Sequence, residues 1–125
     1  MMEPWTKDEL DRIGNTEEIQ LSSMRGDGSL HKPVTIWVVR LGDELFVRAV
    51  NGREGAWFRG TQVRHEGHIQ AGKVGKDVRF EDAGAEIYEQ VDEAYRSKYR
   101  HHTASIINTV LTPKARASTL KLVRR

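Results

Sequence analysis

Residues 34–50, VTIWVVRLGDELFVRAV, decide the fold of this chain. The first part, Val34–Arg40, consists almost entirely of β-branched and aromatic residues, and Leu45–Val50 has the same character. The residues between these two parts, LGDE, favour a turn. The stretch therefore predicts an antiparallel hairpin of two consecutive strands.

Alternation of apolar and polar residues predicts further strands on both sides of this hairpin. They cover residues 18–25, 68–71, 74–80 and 119–124. The two middle strands form a meander, and the last strand must find an edge in it. About six strands therefore form a small barrel or a strongly curved sheet.

Helical signals surround the predicted strands. Thr6 and Glu9 form a capping box that begins a helix ending at Gly14. Apolar residues at helical spacing, such as Ile87 and Val91, indicate a longer helix over about 85–102. Shorter helical segments are predicted at 56–59 and at 105–111, the latter stopped by Pro113.

The composition is typical of a single domain. The chain has 125 residues, 38% of them hydrophobic, and no cysteine, so we expect a core that needs neither disulfides nor a Cys-based metal site. No stretch approaches the ~18 consecutive apolar residues of a membrane helix, and the N-terminus is not a signal sequence. We therefore expect one cytoplasmic domain over residues 1–125, of the α+β class and mainly antiparallel β, with peripheral helices.

Positive charge is concentrated at the end of the chain. The formal net charge is +2, yet no acidic residue follows Glu93, whereas eight lysines and arginines do. A basic cluster can bind nucleic acid, but helix and edge-strand positions explain these residues, so we expect a solvated surface and no nucleic-acid partner. Alternatively, Lys98 and a neighbouring tyrosine close over a pocket.

The loop after Leu45–Val50 combines residue types that suit a phosphorylated aromatic ligand. Gly52 lets backbone N–H groups approach an anion, Arg53 is suited to phosphate, and Trp57 offers a flat apolar face. Alternatively, the glycines only make a turn, the tryptophan is in the core and the arginines are solvated. Arg48 shares a strand face with apolar residues, so either an acid such as Glu44 neutralises it or a ligand does.

Other chemistries lack a pattern in the sequence. His65 and His68, and the pair His101 and His102, show no spacing typical of a metal site, so we predict none. Neither a Gly-x-Ser-x-Gly elbow nor a Gly-x-x-x-x-Gly-Lys phosphate loop is present. Hydrolase and nucleoside triphosphatase functions are therefore not expected.

Several runs of the sequence resemble one bacterial family over essentially the whole chain. The chain is identified as a member of the uncharacterised family known as domain of unknown function 2255. The runs that carry the resemblance are 35–40, 42–59, 92–99 and 118–122. The hairpin, loop and helix are also similar to the FMN-binding split-barrel superfamily, which includes deazaflavin-dependent nitroreductases and pyridoxamine-phosphate oxidases.

This resemblance implies a split barrel that binds FMN or an 8-hydroxy-5-deazaflavin, transfers hydride through that cofactor and forms a homodimer. A non-catalytic ligand-binding or protein-interaction barrel that has lost the cofactor is the alternative. By resemblance, the cofactor-binding residues are Lys32, Arg48, Ala49, Val50, Asn51, Gly52, Arg53 and Trp57.

Overall fold

A single antiparallel sheet of seven strands forms the body of the protein in the computed structural model, which describes residues 4–125. The strands are β1 (Ile19–Ser23), β2 (Val34–Ile36), β3 (Val39–Leu41), β4 (Glu44–Val47), β5 (Glu66–Ala71), β6 (Val74–Asp82) and β7 (Leu120–Arg124). Their order across the sheet is β2-β1-β5-β6-β7-β4-β3.

Five α-helices lie around this sheet. They are α1 (Lys7–Asn15), α2 (Ala56–Arg64), α3 (Tyr88–Lys98), α4 (Ala104–Asn108) and α5 (Pro113–Arg116), with 3₁₀ turns at Gly52–Glu54 and Ala85–Ile87. The predicted α+β class with a curved antiparallel sheet is therefore confirmed. None of the helices in residues 4–125 combines the length and the apolarity needed to cross a bilayer.

The central hairpin is the main correction to the sequence prediction. The predicted strand Val34–Arg40 is divided at Trp37 and Val38 into β2, which pairs with β1, and β3, which pairs with β4. Since β2 and β3 are the two outer strands of the sheet, the chain passes from one edge to the other within two residues. This connection curls the sheet into a half-barrel of seven strands, where about six were expected.

Side chains from the end of α3 stabilise the break between β2 and β3. The Val38 N–H donates to the Tyr99 hydroxyl at 3.2 Å, and the Val38 carbonyl accepts from Lys98 Nζ at 2.6 Å. Buried backbone polar groups need partners, and these two residues supply them where no neighbouring strand does. The strand can therefore leave its ladder at this point.

The ends of the helices follow their capping signals. Thr6 and Glu9 form the predicted capping box of α1, which extends one residue past Gly14. The predicted helix over 85–102 is shorter, because residues 85–87 form a 3₁₀ turn and α3 ends at Lys98. Pro113 begins α5 behind the N-cap Thr112, a position where its missing N–H costs nothing.

Two hydrophobic clusters lie on opposite sides of the curled sheet. The larger cluster fills the inside of the curl, where Ile13, Leu45 and Leu122 are fully buried. The smaller cluster joins α3 to β3 and β4 through Tyr95, Tyr99 and Phe46. The final strand β7 lies between β6 and β4 and contributes to the larger cluster, so the prediction that it pairs with the meander is confirmed.

Candidate functional site

A cavity of about 460 Å³ opens beside the break between β2 and β3. Its walls come from β2, from the loop that follows β4, from the beginning of α2 and from α4. The lining residues are Glu18, Val34, Thr35, Ile36, Trp37, Arg48, Val50, Asn51, Gly55, Ala56, Trp57, Ile106, Thr109 and Val110. A volume of this size is in the range of small-molecule sites.

Two half-buried tryptophans, Trp37 and Trp57, line the cavity. Trp37 stacks on Tyr99, with ring centroids 3.9 Å apart and planes only 6° from parallel. Trp57 lies in the first turn of α2 and meets Phe58 edge to face, 6.4 Å between centroids. Each ring is thus fixed by an aromatic neighbour on one side and contributes apolar surface to the cavity.

The N-terminus of α2 forms part of the same wall. Gly55 is the N-cap residue of this nine-residue helix, and no side chain caps its first turn. The first-turn N–H groups of a helix lack intrahelical partners and carry partial positive charge. Gly55, Ala56 and Trp57 all line the cavity, so this wall is suited to a negatively charged group.

Arg48 contributes to the cavity wall, but its guanidinium group is held by the protein itself. It donates to Asp92 Oδ1 at 2.5 Å and to Thr119 Oγ1 at 2.8 Å. It also donates to the carbonyl oxygens of Val110 at 2.9 Å and Tyr88 at 3.0 Å. The side chain is completely buried and connects β4 to α3 and to the segments before and after α5.

The acid that neutralises Arg48 is therefore Asp92, and Glu44 is paired with Lys121 at 3.0 Å instead. Asp92 also accepts a hydrogen bond from Arg116, so one buried carboxylate serves two arginines. A buried charge pair of this kind is costly to break, because each partner would be left unpaired. We conclude that Arg48 holds the cavity wall together.

The other residues predicted from the loop divide into two groups. Val50, which is 49% exposed, and Asn51 line the cavity together with Trp57. Ala49 is buried, and Ser118 Oγ binds both its N–H at 2.8 Å and its carbonyl at 3.2 Å. Ala49 therefore anchors the loop from behind.

Gly52 and Arg53 turn toward α5 and β6. Gly52 has a φ of +72° and is so close to Lys114 that an added Cβ would meet its side chain at 2.3 Å, so only glycine fits. Arg53 donates to the Ala117 carbonyl at 3.1 Å and lies 4.9 Å above the ring of Phe58. Neither residue is among those that line the cavity.

Lys32 is exposed in the loop between β1 and β2, outside the residues that line the cavity. Lys98 and the tyrosines of α3 support the wall from behind, since they contact Val38 and Trp37. Burial lowers the pKa of Lys98 to about 8 and raises the pKa of Tyr99 and Tyr95 above the ordinary range. Neither Lys98 nor these tyrosines are among the residues that line the cavity, so the segment packs behind the wall and does not close over the cavity as the alternative supposed.

Sequence reasoning missed Trp37, β2 and α4 as parts of the site. Trp37 was placed inside a regular strand, and its neighbour Ile36 is only partly buried. In α4, Ile106 is 46% exposed although the predicted helix suggests a buried apolar face. The sequence around Val38 gives no sign that its N–H pairs with Tyr99, which lies sixty-one residues away.

The curled antiparallel sheet, with its cavity at the break between two outer strands, defines the split-barrel class of domains. Within that class, the chain belongs to the family described as uncharacterized proteins conserved in bacteria, DUF2255, whose profile matches residues 9–122. A comparison with curated proteins finds no match.

Solved structures with similar folds confirm the class. A heme storage protein from Vibrio cholerae, HutZ, has a TM-score of 0.65 at 12% identity, covering 95% of this chain and 88% of its own. An F420 reductase has a TM-score of 0.57 at 12% identity, and the alignment covers 97% of this chain and 94% of the reductase. A FAD-binding protein from Mesorhizobium loti has a TM-score of 0.57 at 14% identity, and the alignment covers 99% of this chain and 91% of that protein.

Proposed function

We propose that this protein binds a flavin-type cofactor, FMN or an 8-hydroxy-5-deazaflavin, in the cavity and acts as an oxidoreductase-like domain. One observation carries the proposal: the cavity of about 460 Å³ combines two tryptophan rings with an uncapped helix N-terminus. A phosphorylated aromatic molecule needs both an apolar surface and an anion site. The similar folds of an F420 reductase and a FAD-binding protein support the same choice.

The lining residues fit such a cofactor in two parts. Trp37, Ile36 and Val50 supply apolar surface for a ring system, while the first-turn N–H groups of Ala56 and Trp57 suit a phosphate. Asn51 adds a polar side chain that both donates and accepts hydrogen bonds. When bound, a flavin or deazaflavin supplies hydride transfer, and the protein orients the ring and shields it from water.

The predicted contacts then have different roles in the proposal. Val50, Asn51 and Trp57 touch the cofactor, whereas Arg48, Ala49 and Gly52 fix the loop that carries them. Lys32 and Arg53 are not among the residues that line the cavity. In this proposal they contribute positive charge and do not touch the ring of the cofactor. A homodimer in the cytoplasm remains part of the proposal, and light scattering of the purified chain tests the dimer.

Two exposed valines offer a matched test of the site. Val50 is 49% exposed and lines the cavity, whereas Val63 is 61% exposed near the end of α2 and is not among the lining residues. FMN, FAD and an 8-hydroxy-5-deazaflavin are titrated into wild type, Val50→Glu and Val63→Glu, with cofactor fluorescence as the signal. A carboxylate at residue 50 replaces apolar surface of the proposed ring site by a charge that would have to be desolvated when the ring binds. We therefore expect at least about tenfold weaker binding, or 1.4 kcal/mol.

Val63→Glu should bind as the wild type does. Equal binding by both variants would move the cofactor out of this cavity. If none of the three cofactors binds below about millimolar concentration, which corresponds to about 4 kcal/mol, the oxidoreductase proposal is wrong.

The pairing of Arg48 with Asp92 favours a second candidate, a barrel without a cofactor. Because this arginine is occupied, the cavity presents exposed Val50 and Ile106 and no unpaired buried cation among the described lining residues. Apolar exposure of this kind suits a small apolar ligand or a protein partner. This candidate would be supported if no flavin binds and if a fluorescent apolar probe binds the wild type but not Val50→Glu.

A further inference from the structure

Glu17, His101 and His102 form a cluster next to Trp37, and none of the three is among the residues that line the cavity. Glu17 lies between α1 and β1, and the two histidines lie in the turn after α3. Glu17 Oε1 is 3.2 Å from His101 Nε2, and Oε2 is 2.7 Å from His102 Nε2. One potential ligand atom from each of the three side chains lies within 4.8 Å of the other two.

The two halves of the cluster are held in place by Tyr99. The Tyr99 hydroxyl donates to the carbonyl of Glu17 at 2.7 Å, and the Tyr99 carbonyl accepts from the N–H of His102 at 2.9 Å. The ring of His102 also packs against Trp37, with centroids 4.9 Å apart. The cluster therefore forms on a fixed backbone, although Glu17 is eighty-four residues from His101 in the sequence.

The donor atoms have the chemistry of a transition-metal site. Two imidazole nitrogens and a carboxylate suit Zn²⁺ and related first-row divalent cations, with bonds of about 2.0–2.2 Å. Glu17 and His101 are exposed and His102 is partly exposed, so an ion has open access and water can complete its coordination.

We propose that Glu17, His101 and His102 bind one divalent transition-metal ion, with Zn²⁺ as the reference ion. Small movements of the side chains replace the carboxylate–imidazole contacts by metal bonds, because the ligand atoms already converge. The ion would tie the start of β1 to the end of α3. The site is separate from the cofactor cavity and does not depend on the proposed cofactor.

Calorimetry of the full chain, freed of any affinity tag, tests the site with Zn²⁺ alone. The test variants are His101→Ala/His102→Ala and Glu17→Gln, and the matched control is His31→Ala/His68→Ala, which removes two histidines elsewhere. We expect one Zn²⁺ per chain for wild type and control, and binding weakened at least about tenfold in both test variants. Circular dichroism verifies that all variants are folded, as expected for substitutions at the surface.

Cobalt(II) gives an independent readout, because its visible d–d bands shift and intensify when protein ligands replace water in a site of lower coordination number. Wild type and control should develop these bands, and His101→Ala/His102→Ala should not. Absence of Zn²⁺ binding by the wild type, or equal binding by the double variants, would overturn the proposal. Equal binding by wild type and Glu17→Gln would remove the carboxylate from the ligand set and overturn the three-residue site.

Discussion

The two walls of the cavity are supported in different ways. Behind the loop after β4, the charged Arg48 makes four hydrogen bonds and pairs with a buried carboxylate. Behind the break between β2 and β3, the Tyr99 hydroxyl and Lys98 bind backbone atoms of Val38. The first support includes a buried ion pair, whereas the second consists of hydrogen bonds to the main chain without a buried ion pair.

This difference predicts unequal sensitivity to substitution. Loss of one partner of a buried ion pair leaves a charge without compensation, whereas loss of a hydroxyl leaves a neutral N–H unsatisfied. The wall that carries Trp57 should therefore be more sensitive to a single change than the wall that carries Trp37.

Asp92→Ala should have the largest effect. Arg48 and Arg116 both lose their shared carboxylate, and Arg48 remains buried with an uncompensated charge. We expect the free energy of unfolding to fall by about 3–5 kcal/mol, measured by urea denaturation. The neighbouring Glu93→Ala is the control, because its pair with Arg96 is exposed and contributes less than about 1 kcal/mol. Similar losses in both variants would mean that Arg48 does not depend on its ion pair.

Tyr99→Phe should have an intermediate effect. The change removes the acceptor of the Val38 N–H and the donor to the Glu17 carbonyl while the stacked ring on Trp37 remains. An unsatisfied buried group costs about 1–3 kcal/mol, to be read from the same urea unfolding curves.

Tyr95→Phe is the matched control, because Tyr95 lies in the last turns of α3 and Tyr99 directly follows that helix. The Tyr95 ring is as fully buried as that of Tyr99, but within residues 4–125 its hydroxyl makes no hydrogen bond of ordinary length and angle. Its removal should leave stability unchanged or slightly raised. If Tyr99→Phe were as neutral as Tyr95→Phe, the hydroxyl would not support the break between the strands.

The sequence near each wall predicts the local structure, but it does not indicate which distant residues support that wall. The capping box at Thr6 and Glu9, the turn between β3 and β4, and the alternation in β5 and β6 act over a few residues and were predicted. The helix after residue 85 was also predicted, because its apolar spacing is regular.

The features that could not be predicted from the sequence depend on contacts between residues far apart in the chain. Val34–Arg40 consists almost entirely of β-branched and aromatic residues, and nothing in it marks the break that Tyr99 stabilises from sixty-one residues away. Arg48 was identified as a buried charge in need of a partner, but Asp92 lies forty-four residues away and Glu44 was the nearer choice. The histidine pair after α3 likewise lacked a third ligand until the fold placed Glu17 beside it.

The titration of Lys98 should produce the smallest effect, which is a dependence of stability on pH. Burial lowers its pKa in the folded protein from 10.5 to about 8, so between these values the unfolded chain binds more protons than the folded one. Stability should therefore rise as pH increases above about 8. The rise in stability should end near pH 10. There the tyrosines of the unfolded chain begin to ionise while the buried Tyr95 and Tyr99 stay protonated, which lowers stability. Unfolding curves at pH 8 and 9.5 should show this rise in wild type and a smaller rise in Lys98→Met, and an equal rise in both would assign the dependence to another group.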